Sequence, residues 1–297
     1  MSCLLDRLPS GARVSVIRLR SMGDCVLTTP AIALLKRRRP DLKIHMVVEP
    51  RFAQVFEGNP DIAGISADVG PADLVLNLHG GTRSMLMTLG SMARYRAGFA
   101  HHRYSFIYSH RIPRAQQILG VERPVHTAEH LASAMFWLGV PTGEIPRAKL
   151  AASPMRSARP YAVMHPFASA PEKAWPVERF VATASHLDTV CGLEPCIVAG
   201  PGDDATRFWR FRVVRNAPIN EVKNLMAGAA LFIGNDSGPA HIAAAFGVPV
   251  VVLFGPSDPV TWAPWRTESQ VLTSRDGIEQ ITLEDVAGAV ESLKVRA

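Results

Sequence analysis

The segment from Phe232 to Pro256 constrains the fold more tightly than any other part of the chain. An apolar run ends in Gly234-Asn235-Asp236-Ser237-Gly238, a run of small residues follows at once, and a second apolar run, Val248 to Phe254, stops at Gly255-Pro256. That order reads as strand, turn, helix and strand, one βαβ unit whose helix N-terminus is open to an anion. Backbone N–H groups at such a terminus have no partner in the helix and carry the positive end of its dipole, so phosphate oxygens bind there. Ser237 offers a hydroxyl in the turn, and Gly238 lets backbone approach a ligand. Asp236 beside an anion site points to contact with hydroxyl or amine groups next to the phosphate. The competing reading is an Asp/Ser helix cap with no ligand.

With 297 residues, 47% of them hydrophobic, the chain is long enough for two domains with buried cores. No apolar stretch reaches the 18 or so residues of a membrane span. Met1 to Arg13 lacks the basic, apolar, small-residue order of a signal peptide, so a cytoplasmic protein is expected. The four cysteines, Cys3, Cys25, Cys191 and Cys196, form no disulfide framework and no metal-ligand pattern, and read as buried thiols.

Charge is divided unevenly. Residues 1–150 hold 19 Lys and Arg against 11 Asp and Glu, whereas 151–297 hold 13 against 15. No acidic residue occurs between Asp73 and Glu122, a window carrying Arg83, Arg94, Arg96, Arg103, Arg111 and Arg114. A cationic first half suits an acidic partner: nucleic acid, an anionic membrane surface or an anionic substrate. Nucleic acid is disfavoured because no recognised binding motif accompanies the charge. A solvated basic face remains the plain alternative.

Apolar runs alternate with helical patterns along the whole chain, which indicates α/β layers with mainly parallel sheets. In the first half Val14 to Leu19, Ile44 to Val48 and Leu74 to Leu78 read as strands, with a helix from about Leu27 to Arg38 and Pro30 in its first turn. His45 inside the second of these strands reads as packing. The second half restarts with a strand at Tyr161 to His165, followed by Pro195 to Ala199, Ala230 to Ile233 and Val250 to Phe254. Pro146 to Pro160 serves as the linker. The expected organisation is therefore two Rossmann-like, doubly wound domains, 1–155 and 156–297, facing a cleft, with ligands at the carboxyl ends of the strands. A helical tail, Thr282 to Val295, is placed to pack back on the first domain.

Gly200-Pro201-Gly202-Asp203-Asp204-Ala205 fits G-x-G-x-x-A, yet it follows a strand deep in the second half and sets two carboxylates where a pyrophosphate would lie. Hydride-transfer chemistry is therefore disfavoured. Four segments carry the more coherent chemistry. Asp24 follows the first strand and reads either as a general base or as an N-cap carboxylate. Lys173, in the loop His165 to Pro176, has an ammonium suited to a diphosphate, and Trp175-Pro176 reads as the lock on the next helix start. Gly200 and Gly202 read as lining of a nucleotide pocket, and Asp236, Ser237, Gly238 and His241 complete the set.

These motifs, in order, resemble glycosyltransferase family 9, the heptosyltransferases of the lipopolysaccharide inner core. The matching pieces are Ile17 to Ala31, Asp73 to Arg83, Arg96 to Phe99, His126 to Glu129, Lys173 to Phe180, Gly234 to Ala245 and Leu253 to Pro259. The resemblance implies the two-domain GT-B fold, with an acceptor-binding first domain and a donor-binding second one. It implies ADP-heptose as donor and an acidic, lipid-linked core saccharide (Kdo or heptose on lipid A) as acceptor. Asp24 then matches the catalytic base, Lys173 the lysine near the donor phosphates, and Asp236 the acidic residue near the donor sugar. Ser237, Gly238 and His241 match nucleotide contacts, and Ser169 a hydroxyl near the phosphates. His79 stands where the family has glutamine. Pro239 replaces the commoner leucine and loses a backbone donor beside the phosphate site.

The implied reaction is an inverting transfer with no cofactor, and the absence of any D-x-D gives no support to a metal clamped by paired carboxylates. Arg83 and Arg103 are the expected acceptor-binding residues. The enzyme is expected in the cytoplasm, with peripheral contact to the anionic inner membrane. Two readings compete: a transferase of the same fold using another nucleotide sugar for a different glycan, and a non-catalytic nucleotide-sugar-binding protein.

Overall fold

The computed structural model describes residues 3–293 and divides into two compact units, Met1–Ala151 and Ala152–Ala297. The boundary falls inside the Pro146 to Pro160 linker. Residues 294 and 295, the end of the expected helical tail, lie outside the described residues.

In the first unit the strands are β1 (Arg13–Ile17), β2 (Lys43–Val47), β3 (Gly64–Ser66), β4 (Leu74–Asn77), β5 (Tyr95–Phe99) and β6 (His110–Ile112). The helices are α1 (Met22–Arg38), α2 (Thr82–Gly90), α3 (Ala115–Leu119) and α4 (Thr127–Leu138). All pairings are parallel, in the order β3-β2-β1-β4-β5-β6. A parallel sheet is covered on both faces, so its strands read as continuous apolar runs; Val14, Val16, Ile17, Ile44, Met46, Leu74, Val75 and Leu76 are all fully buried. His45 packs on β3, where a Cβ at Gly64 would approach its ring at 2.5 Å.

Helix α1 begins five residues earlier than its periodicity suggests, so Pro30 lies in the helix interior and not in the first turn. The earlier start comes from a capping box, in which the Asp24 carboxylate accepts from the Ser21 N–H at 3.0 Å. Pro30 has no N–H for the Val26 carbonyl, which an interior proline normally leaves unpaired. Thr29 Oγ1 donates to that carbonyl at 2.8 Å and so replaces the missing bond.

The second unit contains β7 (Tyr161–His165), β8 (Glu194–Ala199), β9 (Arg212–Arg215), β10 (Leu231–Asn235), β11 (Val250–Phe254) and β12 (Ser269–Thr273). Its helices are α5 (Val177–Thr189), α6 (Ile219–Ala227), α7 (Gly238–Ala245), α8 (Pro259–Trp262) and α9 (Leu283–Ser292). The parallel order β12-β11-β10-β7-β8-β9 is the same winding as in the first unit, each read from its own first strand. Trp175 is buried, donates from Nε1 to Ile281 O at 2.9 Å, and meets the Phe180 ring edge-on at 4.9 Å, which fixes the start of α5. The apolar face of α9 (Val286, Ala289, Val290) goes into this unit's own core. Within this unit α9 packs against α5, β11 and β12.

Candidate active site

In a doubly wound sheet the loops diverge at the point where strand order reverses, which leaves an open crevice at the carboxyl ends of the strands. In the first unit that point lies between β1 and β4, and in the second between β7 and β10. Asp24 follows β1. Ser169 and Lys173 follow β7, and Asp236, Ser237, Gly238 and His241 follow β10.

At the first crevice Asp24 is the third residue of α1 and is 17% exposed. Its Oδ2 accepts from the backbone N–H of Ser21 at 3.0 Å and from Ser21 Oγ at 3.2 Å, and its Oδ1 pairs with the Arg18 guanidinium. Arg18 also donates to Leu78 O at 2.5 Å, bridging the ends of β1 and β4. A carboxylate has about four acceptor positions, and these bonds occupy three, so one remains for a substrate hydroxyl. Asp24 is thus both a cap and an available acceptor.

The turn after β4 is organised by Asn77, fully buried, whose Oδ1 accepts from the N–H groups of His79 and Gly80 at 3.0 Å each while Nδ2 donates to Thr88 Oγ1. Gly80 has φ +82°, and a Cβ there would lie 2.6 Å from the His102 ring, so only glycine fits between that ring and the turn. His102 accepts from or donates to Tyr108 Oη at 3.2 Å, and His130 stacks on Phe99 at 4.0 Å. Burial pushes both His102 and His130 down to about 4, with neighbouring positive groups including Arg18 adding to the shift. His79 is lowered by burial first and then by Arg18 and Arg20. Arg83 begins the exposed side of α2 and approaches Glu49 at 3.7 Å; Arg103 lies over the Tyr104 ring at 5.5 Å.

At the second crevice the structure brings Lys173 and Asp236 together, Nζ to Oδ2 at 3.8 Å. The pairing is loose and Lys173 is 31% exposed, so an arriving phosphate competes easily for the ammonium. Ser237 is the N-cap of α7, but its Oγ makes no cap bond and is buried without a hydrogen-bond partner. The first-turn N–H groups of α7 have no acceptor within the helix. Gly238 is the first residue of α7, and His241 is buried within it. His165, closing β7, has a buried Nδ1 without a partner, and burial pushes it down to about 4. The Gly200 N–H donates to Asp203 Oδ2 at 2.7 Å, so Asp203 closes this turn internally, with Gly202 at φ +89° beside it. Ser169 is exposed in the β7–α5 loop. Among the described residues no group of three or more His, Cys, Asp or Glu is arranged to hold a metal ion.

Three residues at these crevices escape sequence reasoning: Arg18, Asn77 and Asn235. Asn235 is fully buried; Oδ1 accepts from Trp175 N at 3.1 Å and Nδ2 donates to Pro166 O at 2.9 Å, so it ties both ends of the Lys173 loop to β10. Their only signal is a polar residue closing an apolar strand run, which turns produce equally well. Asn235→Ala leaves a buried donor and a buried acceptor unpaired and is expected to cost about 2–4 kcal/mol, read as a lower urea midpoint. Gly255 approaches the same loop, where a Cβ would collide with Glu172 O and lie 3.2 Å from Lys173 Cα.

The buried histidines also set an acid limit. The unfolded chain takes up protons near the ordinary histidine value of 6.5, whereas His102, His130 and His165 resist until about 4. The unfolded state binds more protons between those values, so their contribution is fully present above pH 6.5 and is lost as pH falls toward 4. Each such proton contributes a slope of up to about 1.4 kcal/mol per pH unit. Urea midpoints at pH 7 and pH 5 measure it, and the midpoint is expected to be lower at pH 5.

The chain is similar to known proteins over most of its length. Lipopolysaccharide heptosyltransferase 3 of Escherichia coli (strain K12) is 28% identical over 333 residues, covering 93% of this chain and 96% of that protein. A family 9 glycosyl transferase from Veillonella parvula superimposes with a TM-score of 0.84 at 22% identity, covering 95% of this chain and 97% of its own. E. coli heptosyltransferase WaaC with ADP gives 0.80 at 19% identity, covering 95% and 99%. The two structures establish the GT-B fold, two parallel six-stranded sheets clothed by helices. The family model for glycosyltransferase family 9 (heptosyltransferase) matches residues 70–286, most of the length of the protein, and the chain belongs to that family.

Proposed function

We propose that the chain transfers a heptose from ADP-heptose to the inner core of lipopolysaccharide, with inversion at the anomeric carbon. The observation that carries this reading is the division of chemistry between the two crevices. Asp24 retains one free acceptor position in the first unit, and Lys173, Asp236 and the N-terminus of α7 meet in the second. Similarity to a heptosyltransferase over 93% of this chain and 96% of that protein supports it, and ADP lies in one solved structure of the same fold.

In the proposed reaction the acceptor hydroxyl gives its proton to Asp24 as its oxygen attacks the anomeric carbon. The bond from that carbon to the diphosphate breaks, and ADP leaves with the electron pair. Lys173 and the N–H groups and hydroxyl at Ser237-Gly238 meet the charge that develops on the leaving oxygen. Asp236 contacts donor-sugar hydroxyls once phosphate has drawn the ammonium away. Ser169, Gly200, Gly202 and His241 complete the donor site, and Arg83 and Arg103 hold the acidic groups of the acceptor. The units Met1–Ala151 and Ala152–Ala297 are then the acceptor and donor domains. The enzyme works in the cytoplasm on a membrane-borne acceptor and has no nucleic-acid partner.

Thermal stabilisation by ADP, UDP, GDP, CMP, NAD and ADP-heptose tests the donor class. A ligand of the folded state stabilises by about 2.7 kcal/mol at a hundredfold excess over its Kd. ADP and ADP-heptose alone are expected to raise Tm; a shift with UDP or GDP instead overturns the heptose assignment. The mechanism assigns no step to a metal, so turnover is expected to survive dialysis against EDTA unchanged.

A further inference from the structure

Helix α2 has its amphipathic character reversed. The side it turns toward β4 is polar: Ser84 and Thr88 are fully buried, with Ser84 Oγ donating to Gly81 O at 2.8 Å and Thr88 Oγ1 to Ser84 O at 2.7 Å. The side it turns to solvent is aliphatic, with Leu86 59% and Leu89 50% exposed, and Met92 just past the helix end 87% exposed. At 3.6 residues per turn these two pairs fall on nearly opposite faces. A helix packed on a sheet ordinarily buries its leucines, so this outer face is not a by-product of core formation.

The loop between β5 and β6 adds an exposed aromatic side chain beside the start of the helix. Thr82 Oγ1 donates to Tyr104 Oη at 3.3 Å, the Tyr104 and Phe106 rings lie 6.5 Å apart, and Phe106 is 69% exposed. Around these side chains stand exposed arginines: Arg83 at the start of α2, Arg94 over the Tyr95 ring at 5.2 Å, and Arg103 over the Tyr104 ring. The chain from Leu74 to Val121 has no carboxylate to offset them, although Glu49 approaches Arg83 at 3.7 Å.

We propose that this face docks on an anionic phospholipid surface. Leu86, Leu89, Met92 and Phe106 enter the boundary between headgroups and acyl chains, and Arg94 meets lipid phosphates, while Arg83 and Arg103, assigned to the acceptor, add positive charge to the same face. Aliphatic and aromatic side chains ringed by arginine are the composition of an interfacial segment, and the uncompensated positive charge complements an anionic leaflet. No described helix is long and apolar enough to cross a membrane, so contact of this kind is at the surface. Helix α2 begins at the carboxyl end of β4, where Arg18 holds Leu78 O and Asp24. Docking there places the candidate base beside the leaflet that carries the acceptor. This last consequence rests on the proposed acceptor, whereas the docking face does not.

The test is flotation of the full chain with vesicles of phosphatidylcholine alone and of phosphatidylcholine with phosphatidylglycerol. Wild type is expected to float with the anionic vesicles only, and less at high salt. Leu89→Gln/Met92→Gln is expected to weaken binding by roughly tenfold or more, and Arg94→Gln by about fivefold. Both variants should keep the stabilisation by ADP, and should transfer to a delipidated, soluble acceptor at the wild-type rate while transfer to a vesicle-borne acceptor falls with binding. Equal flotation with both vesicle types, no flotation, or variants that bind like wild type overturn the proposal. So does a wild-type dimer in sedimentation that the double variant dissociates, because the face then covers a second copy of the chain. Anionic-vesicle binding through this face without any heptose transfer supports the docking surface and sinks the proposed reaction alone.

Discussion

Asp24→Asn abolishes transfer while leaving the donor site able to bind ADP. Asparagine keeps an oxygen that accepts from the Ser21 N–H, so the start of α1 survives, yet it removes the carboxylate proposed to take the acceptor proton. Loss of a general base typically costs about 10²–10⁴-fold in rate. The expected result is a fall in kcat of that size, with the ADP-induced rise in Tm unchanged because the proposed ADP site lies on the other unit. Asp24→Ala removes both functions. It also leaves the Arg18 guanidinium, 13% exposed, without its carboxylate, and loss of the cap alone costs about 0.5–2 kcal/mol. The asparagine variant also loses the ion pair to Arg18, so the roles are separated by the cap: an asparagine variant that is folded, more stable than the alanine variant and without turnover marks a base. If Asp24→Asn turns over like wild type, Asp24 is a cap and the proposed mechanism fails.

Lys173→Met is expected to lower kcat by about 10²–10³-fold, the range seen when one preorganised donor to a developing anion is removed. It should weaken ADP binding as well, since in the proposed reaction the ammonium contacts the diphosphate in both the ground state and the transition state. Methionine preserves the length of the side chain, so the loop tied by Asn235 and backed by Gly255 should hold its course. Lys173→Arg restores the charge but carries it on a wider, planar group, and partial recovery is expected. A substitution that leaves kcat intact and raises only KM would place Lys173 on the substrate without a role in departure of ADP. The 3.8 Å separation from Asp236 matters here. A tight ion pair would hold the lysine away from the phosphates, whereas this one yields at small cost.

Much of the frame was legible before any coordinates. The strands of both units are parallel and covered on both faces, so burial is uniform along them and the apolar runs stand out: Tyr161–His165 and Val250–Phe254 fall where the sequence places them. The start of α1 was not legible. Pro30 and the periodicity after Leu27 point to a later beginning, and the capping box at Ser21 and Asp24 together with the Thr29 hydroxyl on Val26 O overrides them. Helix α2 misleads in another way, because its leucines face solvent and its serine and threonine face the sheet.

The sequence by itself determined the alternation of strands and helices, the two-unit organisation, and the glycine- and carboxylate-bearing turns that close the strands. Those features are local, set by side-chain periodicity and by what a turn permits, and they are written in residues close together in the chain. Only the tertiary structure decided that Lys173 meets Asp236, that Arg18 joins Asp24 to the end of β4, that Asn77 and Asn235 organise the loops at the two reversal points, and that α2 offers its apolar side to solvent. Each depends on strands such as β1 and β4, or β7 and β10, lying side by side, although Val14 and its partner Leu74 are 60 residues apart in the chain and His165 and its partner Gly234 are 69 apart. Side-chain patterning says that a strand is buried. Hydrogen bonding between particular strands is what says beside which.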